Sequence, residues 1–265
     1  MDRIKLTTLT YVIQDFSMKY KLNDYNGVII DPTSFSFEKA DLEIALKGFL
    51  LFMETEKKGL AWITLPISRC ASVEQFVAHG FIFHSCLPES LTLVRKPQES
   101  TYVPFMPTHI VGAGAIVINQ HNEILVVRDQ GATSFNLPGG HVDPGERIQD
   151  SIVREVLEET GVEVSFDAIL GFTTRHPYEF GKSNIHFICR LKPLTENINV
   201  IDTDEIAEAK WVSVESYLAD EKNGLTNREI VSQITDSKGL TIADFQSNSG
   251  RFKKQEIFMA VEAKL

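Results

Sequence analysis

Residues 140–162 read GHVDPGERIQDSIVREVLEETGV, a glycine turn that runs into an acidic amphipathic segment. At about 100° per residue, Ile152, Val153, Val156 and Leu157 share one arc of a helix, and Arg154, Glu155, Glu158 and Glu159 fill the other. One side is expected to pack and the other to present carboxylates. Gly161, just past the last periodic residue, marks the helix stop. Glu155 lies three and four residues before Glu158 and Glu159, so like charges stack at a cost of about 0.2–0.5 kcal/mol per pair. They also crowd the helix end where the macrodipole is negative. A solvated acidic face is the ordinary reading of Glu-x-x-Glu-Glu, but a divalent cation would remove the repulsion. Oxygen ligands without nearby Cys or paired His point to Mg²⁺ or Mn²⁺, hard ions that bridge carboxylates to phosphates. Metal-assisted phosphoryl hydrolysis is the chemistry that follows.

The residues around the glutamates favour the metal. Gly140, Glu146, Arg154, Glu155, Val156, Glu158, Glu159, Gly161 and Val162 match every fixed position of the pattern Gly-x5-Glu-x7-Arg-Glu-U-x-Glu-Glu-x-Gly-U, with U aliphatic. The chain therefore resembles a Nudix hydrolase. The resemblance implies an α/β fold, an α/β/α sandwich with a mixed sheet, and hydrolysis of a nucleoside diphosphate linked to a second moiety. It also implies roles. Glu158 and Glu159 would be the principal metal ligands, Glu155 a further ligand or the base that activates water, and Arg154 the group that holds Glu155. Glu146 would stand in the outer metal shell, and the Gly139 carbonyl would be an extra ligand. In many relatives the base lies on a later loop; here Asp202, Asp204, Glu205 and Glu208 are available, with Glu205 or Glu208 the first choices and an acidic surface loop the alternative.

The chain has 265 residues, 43% of them hydrophobic, and a formal net charge of −10. That length suits one large domain or two ordinary ones. No apolar run approaches the ~18 residues of a membrane span, and no signal-peptide layout is seen, so a cytoplasmic location is expected. The acidic balance argues against a sequence-independent grip on nucleic acid, with capped RNA left open, and favours a small nucleotide substrate. Cys70, Cys86 and Cys189 show no metal or redox spacing and read as structural thiols.

Pro97, Pro104 and Pro107 lie among polar residues and mark a linker at 97–107 between an amino-terminal α/β domain, 1–96, and a catalytic domain, 108–265. In the first domain the spacing predicts a strand at 26–30, a helix at 39–57, strands at 60–66, 81–83 and 90–94, and a short helix at 73–79. His79 and His84 have no ligand-spaced partners and read as ordinary histidines. In the second domain, 109–118 and 123–127 read as a hairpin around an Asn119–Asn122 turn. Strands follow at 168–174, 185–191 and 209–212, then partly helical sequence to 237, loop-rich sequence at 239–255 and a strand at 256–261. Trp62 to Pro66, Gly80 to His84 and the linker are similar to the Nudix subgroup with an amino-terminal pre-Nudix domain, known from plants and vertebrates. That similarity implies a truncated acetyltransferase-like front domain and a homodimer.

The segment Arg175 to Lys182 is polar and aromatic between two strands. Arg175 or Lys182 could pair with phosphate, and Tyr178 or Phe180 could stack on adenine; a plain connecting loop is the alternative. Pro177 lies about where ADP-ribose pyrophosphatases carry a marker proline, and Tyr178 near where dinucleoside polyphosphate hydrolases carry a tyrosine, so neither decides the substrate; the pre-Nudix subgroup leans toward ADP-ribose and NADH, cleaved to AMP and a phosphorylated product. A nucleotide-sensing regulator with little turnover is the competing reading.

Overall fold

Val28, Ile30, Ala61, Ile63 and Leu65 alternate with more exposed neighbours and turn to one face of a sheet, the period of two expected of half-buried strands. The computed structural model describes residues 18–23, 26–97, 102–103, 106–234, 237–243 and 255–260. The chain divides into two units, Met1–Pro107 and Thr108–Leu265.

In the first unit, strands β1 (Tyr20–Leu22) and β2 (Val28–Ile30) precede helix α1 (Lys39–Thr55). Strand β3 (Ala61–Pro66), helix α2 (Val73–Ala78) and strands β4 (Phe81–Leu87) and β5 (Ser90–Arg95) follow. The sheet order is β1-β2-β3-β5-β4, with β2 and β3 parallel and α1 as the crossover between them. Leu42, Leu46, Phe49 and Met53 recur every three to four residues along α1 and are all buried in the core of this unit. The helix ends two residues before the expected Lys57, and β4 runs on to Leu87 rather than stopping at Phe83. His79 pairs with Glu43 at 2.9 Å and His84 stands edge-on to Trp62. Residues 98–101 and 104–105 of the expected linker lie outside the described residues.

In the second unit, strands β6 (His109–Val117), β7 (Glu123–Asp129) and β8 (Gly139–His141) precede helix α3 (Ile148–Thr160). Strands β9 (Val164–Arg175), β10 (Ser183–Pro193) and β11 (Ile206–Ser213) come next. Helices α4 (Val214–Ala219) and α5 (Leu225–Ile234) and the short strands β12 (Thr241–Ile242) and β13 (Phe258–Met259) complete it. The mixed sheet has the order β8-β6-β10-β9, with β6 and β10 parallel. Ala113, Ala115 and Val117 of β6 pack with Ile152 and Val156 of α3, whereas Ile116 packs with Tyr217 of α4 and Val231 of α5. Covering both faces explains why the end of β6 reads as a continuous apolar run. No described helix is long and apolar enough to cross a membrane.

The structure corrects two expectations. The hairpin over 109–127 keeps its turn but not its ladder: one isolated bridge joins Ile118, just past β6, to Ile124, and β7 pairs with β11. Both hydrogen-bonding edges of β6 are taken by β8 and β10, so β7 must leave. The buried stripe of α3 is also rotated. Ser151, Ile152, Val156, Glu159 and Thr160 are buried while Leu157 is 38% exposed, so one of the glutamates assigned to the open face lies inside. Of the loop-rich 239–255 stretch, residues 244–254 lie outside the described residues, as does Val261 of the expected last strand.

Candidate active site

Two glycines bring a backbone turn against the acidic helix. Gly139 has φ +149°, and a Cβ there would stand 2.2 Å from the Ala113 carbonyl oxygen, so only glycine lets β8 lie this close to β6. A Cβ on Gly140 would come within 2.7 Å of the Glu155 carboxylate. The missing side chain thus leaves room for Glu155 against the turn. The Gly139 N–H donates to Glu159 Oε2 at 2.9 Å.

Helix α3 is tied at both ends. Arg147, its N-cap, offers no side-chain acceptor, and the Glu256 carboxylate instead accepts from the first-turn N–H groups of Ile148 (2.8 Å) and Gln149 (3.2 Å). At the far end Gly161, at φ +74°, donates to Leu157. The strap after it donates back to the helix carbonyls, Asn199 to Thr160 and both Ile201 and Asp202 to Glu158.

Arg154 organises three carboxylates. It pairs with Glu146 at 3.0 Å, with Glu155 at 2.9 Å and with Glu158 at 2.9 Å. The guanidinium is the largest influence on Glu146, whose carboxyl is pulled down to about 2. Glu155 moves the other way: burial raises it, and Glu158 and Glu205 add to the rise against the pull of Arg154. Glu159 is 6% exposed, and burial pushes it up to about 8, with Glu155, Glu205 and Asp129 pushing the same way and the Gly139 N–H opposing.

The fit to a cation follows from that arrangement. Glu159 is a buried carboxylate whose only hydrogen-bond donor among the described residues is one backbone N–H, surrounded by further carboxylates and by a turn open to close approach. Charge of this kind is costly to bury unless a cation compensates it. Among the described residues no three His, Cys, Asp or Glu side chains already converge as a closed ligand set. Arg154 draws Glu146 and Glu158 toward itself, and Glu155 and Glu159 are the pair turned to Gly139 and Gly140.

A pH dependence follows. With Glu159 raised from 4.5 to about 8, the metal-free fold holds a proton that the unfolded chain gives up, so its stability falls as pH rises across that window. A divalent cation needs the deprotonated carboxylate. The gain in thermal unfolding temperature on adding Mg²⁺ or Mn²⁺ is therefore expected to be larger at pH 8 than at pH 6 in differential scanning calorimetry. Equal gains at the two pH values would contradict the placement of the cation at Glu159.

The later loop separates the two first choices for a base. Glu205 acts electrostatically on both Glu155 and Glu159, whereas Glu208 is ion-paired to Arg128 at 3.0 Å and Lys210 at 3.5 Å. Asp129 at the end of β7 also faces Glu159, a neighbour that the sequence did not announce. The β7–β11 ladder, with Asp129 opposite Ile206 and the Gln130 N–H donating to the Glu205 carbonyl, brings it there.

The four substrate-loop residues divide as well. Arg175, at the end of β9, lines a cavity together with Gly139, whereas Tyr178, Phe180 and Lys182 lie beyond its lining. Phe180 is 88% exposed on a tight turn closed by bonds between Tyr178, Glu179 and Lys182. His186, Thr226 and Asn227 also line the cavity and were missed. The signal for His186 was the glycine alternation in β6, Gly112 and Gly114, whose absent side chains make space for its ring.

A family model described as NUDIX domain matches residues 108–234, and one described as Nudix hydrolase domain matches residues 18–96. The chain is 37% identical over 242 residues to Nudix hydrolase 2 of Arabidopsis thaliana, an alignment spanning 89% of the chain and 83% of that protein. It is 32% identical over 203 residues to Nudix hydrolase 8 of the same plant, spanning 74% of the chain and 55% of that protein. Among solved structures, a MutT NUDIX hydrolase from Burkholderia pseudomallei superposes with a TM-score of 0.41 at 21% identity, covering 48% of the chain and 98% of that structure.

Proposed function

The chain belongs to the Nudix hydrolase family, pyrophosphatases that act on nucleoside diphosphates linked to a second moiety with the help of a divalent cation, and from that premise we propose that it cleaves ADP-ribose and NADH to AMP and a phosphorylated product. The observation that carries the reading is the placement of Glu155 against Gly140 and of Glu159 against Gly139, one paired with Arg154 and the other buried. Glu155, Glu158 and Glu159, with the Gly139 carbonyl, would hold Mg²⁺ or Mn²⁺, and Glu146 would stand in the outer shell. A divalent cation held by these residues would supply a more acidic water and charge neutralisation at the leaving phosphate.

The chain's own residues do the rest. Arg154 keeps Glu146, Glu155 and Glu158 in one orientation, so removing it releases three carboxylates at once. Glu205, beside the cluster and free of the ion pairs that occupy Glu208, takes the proton from the attacking water. Arg175 has no ion-pair partner among the described residues and is available to a substrate phosphate, with Tyr178, Phe180 and Lys182 on the loop beyond it. The subgroup similarity supports the preference for ADP-ribose and NADH and a homodimer.

Metal-dependent release of AMP from ADP-ribose and NADH, assayed beside coenzyme A, nucleotide sugars, dinucleoside polyphosphates and capped RNA, tests the substrate. No release from the first two would sink the preference. Glu205→Gln is expected to lower kcat by about 10²–10⁴-fold, the usual worth of a positioned base, while Glu208→Gln stays within a few-fold of wild type. The reverse order would exchange their roles.

A further inference from the structure

Beside the catalytic turn lies a cavity of about 190 Å³, lined by β6, β9 and β10 of the mixed sheet and by α5. Leu137, Ile188 and Ile230 give it apolar walls, and Gly139, whose N–H holds Glu159, lies at its edge. Its polar groups are Thr173, Arg175, His186, Thr226 and Asn227. We propose that this cavity is a socket for a planar nitrogen heterocycle of the substrate, either the nucleobase or the ring of the second moiety, in which His186 and Asn227 read an amide or amidine edge and Arg175 takes the adjoining phosphate.

The position of His186 is built into the sheet. It pairs in register with Gly112 on β6, and Gly114 follows on the same face. A Cβ on Gly112 would stand 2.8 Å from His186 Nδ1, and one on Gly114 would stand 2.7 Å from Nε2. The ring therefore lies across two positions where the strand has no side chain. Neither ring nitrogen makes a hydrogen bond to a described residue, although the ring lines the cavity. A largely buried polar group in that condition awaits a partner.

The kind of partner follows from protonation and shape. Burial lowers the His186 pKa, and the nearby charges of Arg175 and His141 lower it further, so the ring is neutral at neutral pH. Neutral imidazole offers one donor and one acceptor, and the Asn227 amide sets an NH₂ donor beside a carbonyl acceptor. That pairing suits the donor–acceptor edge of adenine, guanine or a carboxamide, and it suits phosphate poorly. Arg175 is the one cation in the lining, so phosphate belongs at its side of the cavity. The volume is below the roughly 300–1,000 Å³ of sites that enclose whole drug-sized ligands, which suits a single ring system between apolar walls. The socket itself is read from the cavity; only the direction in which the diphosphate runs rests on the diphosphatase reading.

The test begins with binding, which needs no turnover. AMP and nicotinamide mononucleotide are titrated calorimetrically into the full chain without metal. At least one should bind, and His186→Ala and Asn227→Ala should each weaken it by about tenfold, the upper range for one lost neutral hydrogen bond. Gly114→Ala, which pushes on the His186 ring, should weaken it too. Asn227 lies on α5, outside the sheet, and is half-buried, so Asn227→Ala keeps the test alive should either sheet variant fail to fold.

Kinetics then assign the ring. ADP-, GDP- and UDP-glucose differ only in base, whereas ADP-ribose and NADH differ only in the second moiety. A changed ranking in the first series places the base in the socket, and a changed ADP-ribose to NADH ratio places the other ring there. No binding of either nucleotide by wild type, or variants with unaltered affinities and unaltered ratios in both series, would overturn the socket. Binding that depends on His186 and Asn227 without any cleavage would instead reject the diphosphatase reading and leave the socket standing.

Discussion

Replacing Glu159 with Gln is expected to abolish turnover, with kcat falling by about 10³-fold or more while the protein remains folded. A bound cation supplies several kcal/mol of charge stabilisation at the reacting phosphate, and about 4 kcal/mol corresponds to that factor. Gln preserves the shape and can still accept the Gly139 N–H that reaches Glu159 at 2.9 Å, but it carries no charge to hold the cation. The same substitution removes a buried carboxylate that burial has pushed up to about 8. The metal-free variant should therefore be at least as stable as wild type above pH 8, where wild type must carry the naked charge. The thermal gain from Mg²⁺ should vanish. Loss of activity together with loss of the metal response, without loss of the fold, is a pattern that misfolding cannot imitate; wild-type kcat in Glu159→Gln would remove Glu159 from the site.

The second large effect is on the fold. Gly161→Ala is expected to destabilise the second unit by roughly 3 kcal/mol or more and to lower its unfolding temperature by about 6–12 °C. The backbone there has φ +74°, and a Cβ would stand 2.2 Å from the carbonyl oxygen of Asn199. The left-handed conformation alone costs an L-residue about 1–2 kcal/mol; the clash adds to it because the opposing atom is backbone. Asn199 cannot simply move, since its N–H donates to the Thr160 carbonyl, and Ile201 and Asp202 donate to Glu158. Pushing this strap away uncaps α3 and displaces the chain leading to Glu205, so activity should fall with stability. Gly131→Ala provides the comparison: φ is +78° but nothing lies within 4 Å of the added carbon, so only the conformational cost remains. Equal losses in the two variants would show that the Asn199 contact is unimportant.

The legible part of the molecule was local. The glycine turn, the helix over the 148–160 stretch and its stop at Gly161 are set by residues a few positions apart, and the structure forms them where the spacing places them. Strands β6, β9 and β10 of the mixed sheet were legible for the same reason, because alternation and apolar runs report the burial of each segment; β8, read only as part of the glycine turn, was not. The helix arc was less so. Periodicity divides a helix into an apolar and a polar side, yet Glu159 lies on the buried side because the Gly139 N–H comes to meet it from β8. No feature of the helix itself announces that donor.

The remaining differences share this cause. The Asn119–Asn122 turn was readable, but not that β7 would abandon β6 for β11, which depends on β8 and β10 occupying both edges of β6. Glu205 and Glu208 are three residues apart and equivalent in sequence; the bulged β7–β11 ladder sends one to the carboxylate cluster and the other to Arg128. His186 carried no motif, and its setting depends on two glycines more than 70 positions away.

The amino-acid sequence by itself determined the reaction chemistry and the helix that bears it, because nine residues at fixed spacing specify a turn, a helical face and a charge pattern without reference to the rest of the chain. Only the tertiary structure decided which glutamate is buried, which acid joins the cluster and what lines the cavity beside it. Those are matters of distance between segments far apart along the chain, set by strand pairing and packing rather than by any local propensity.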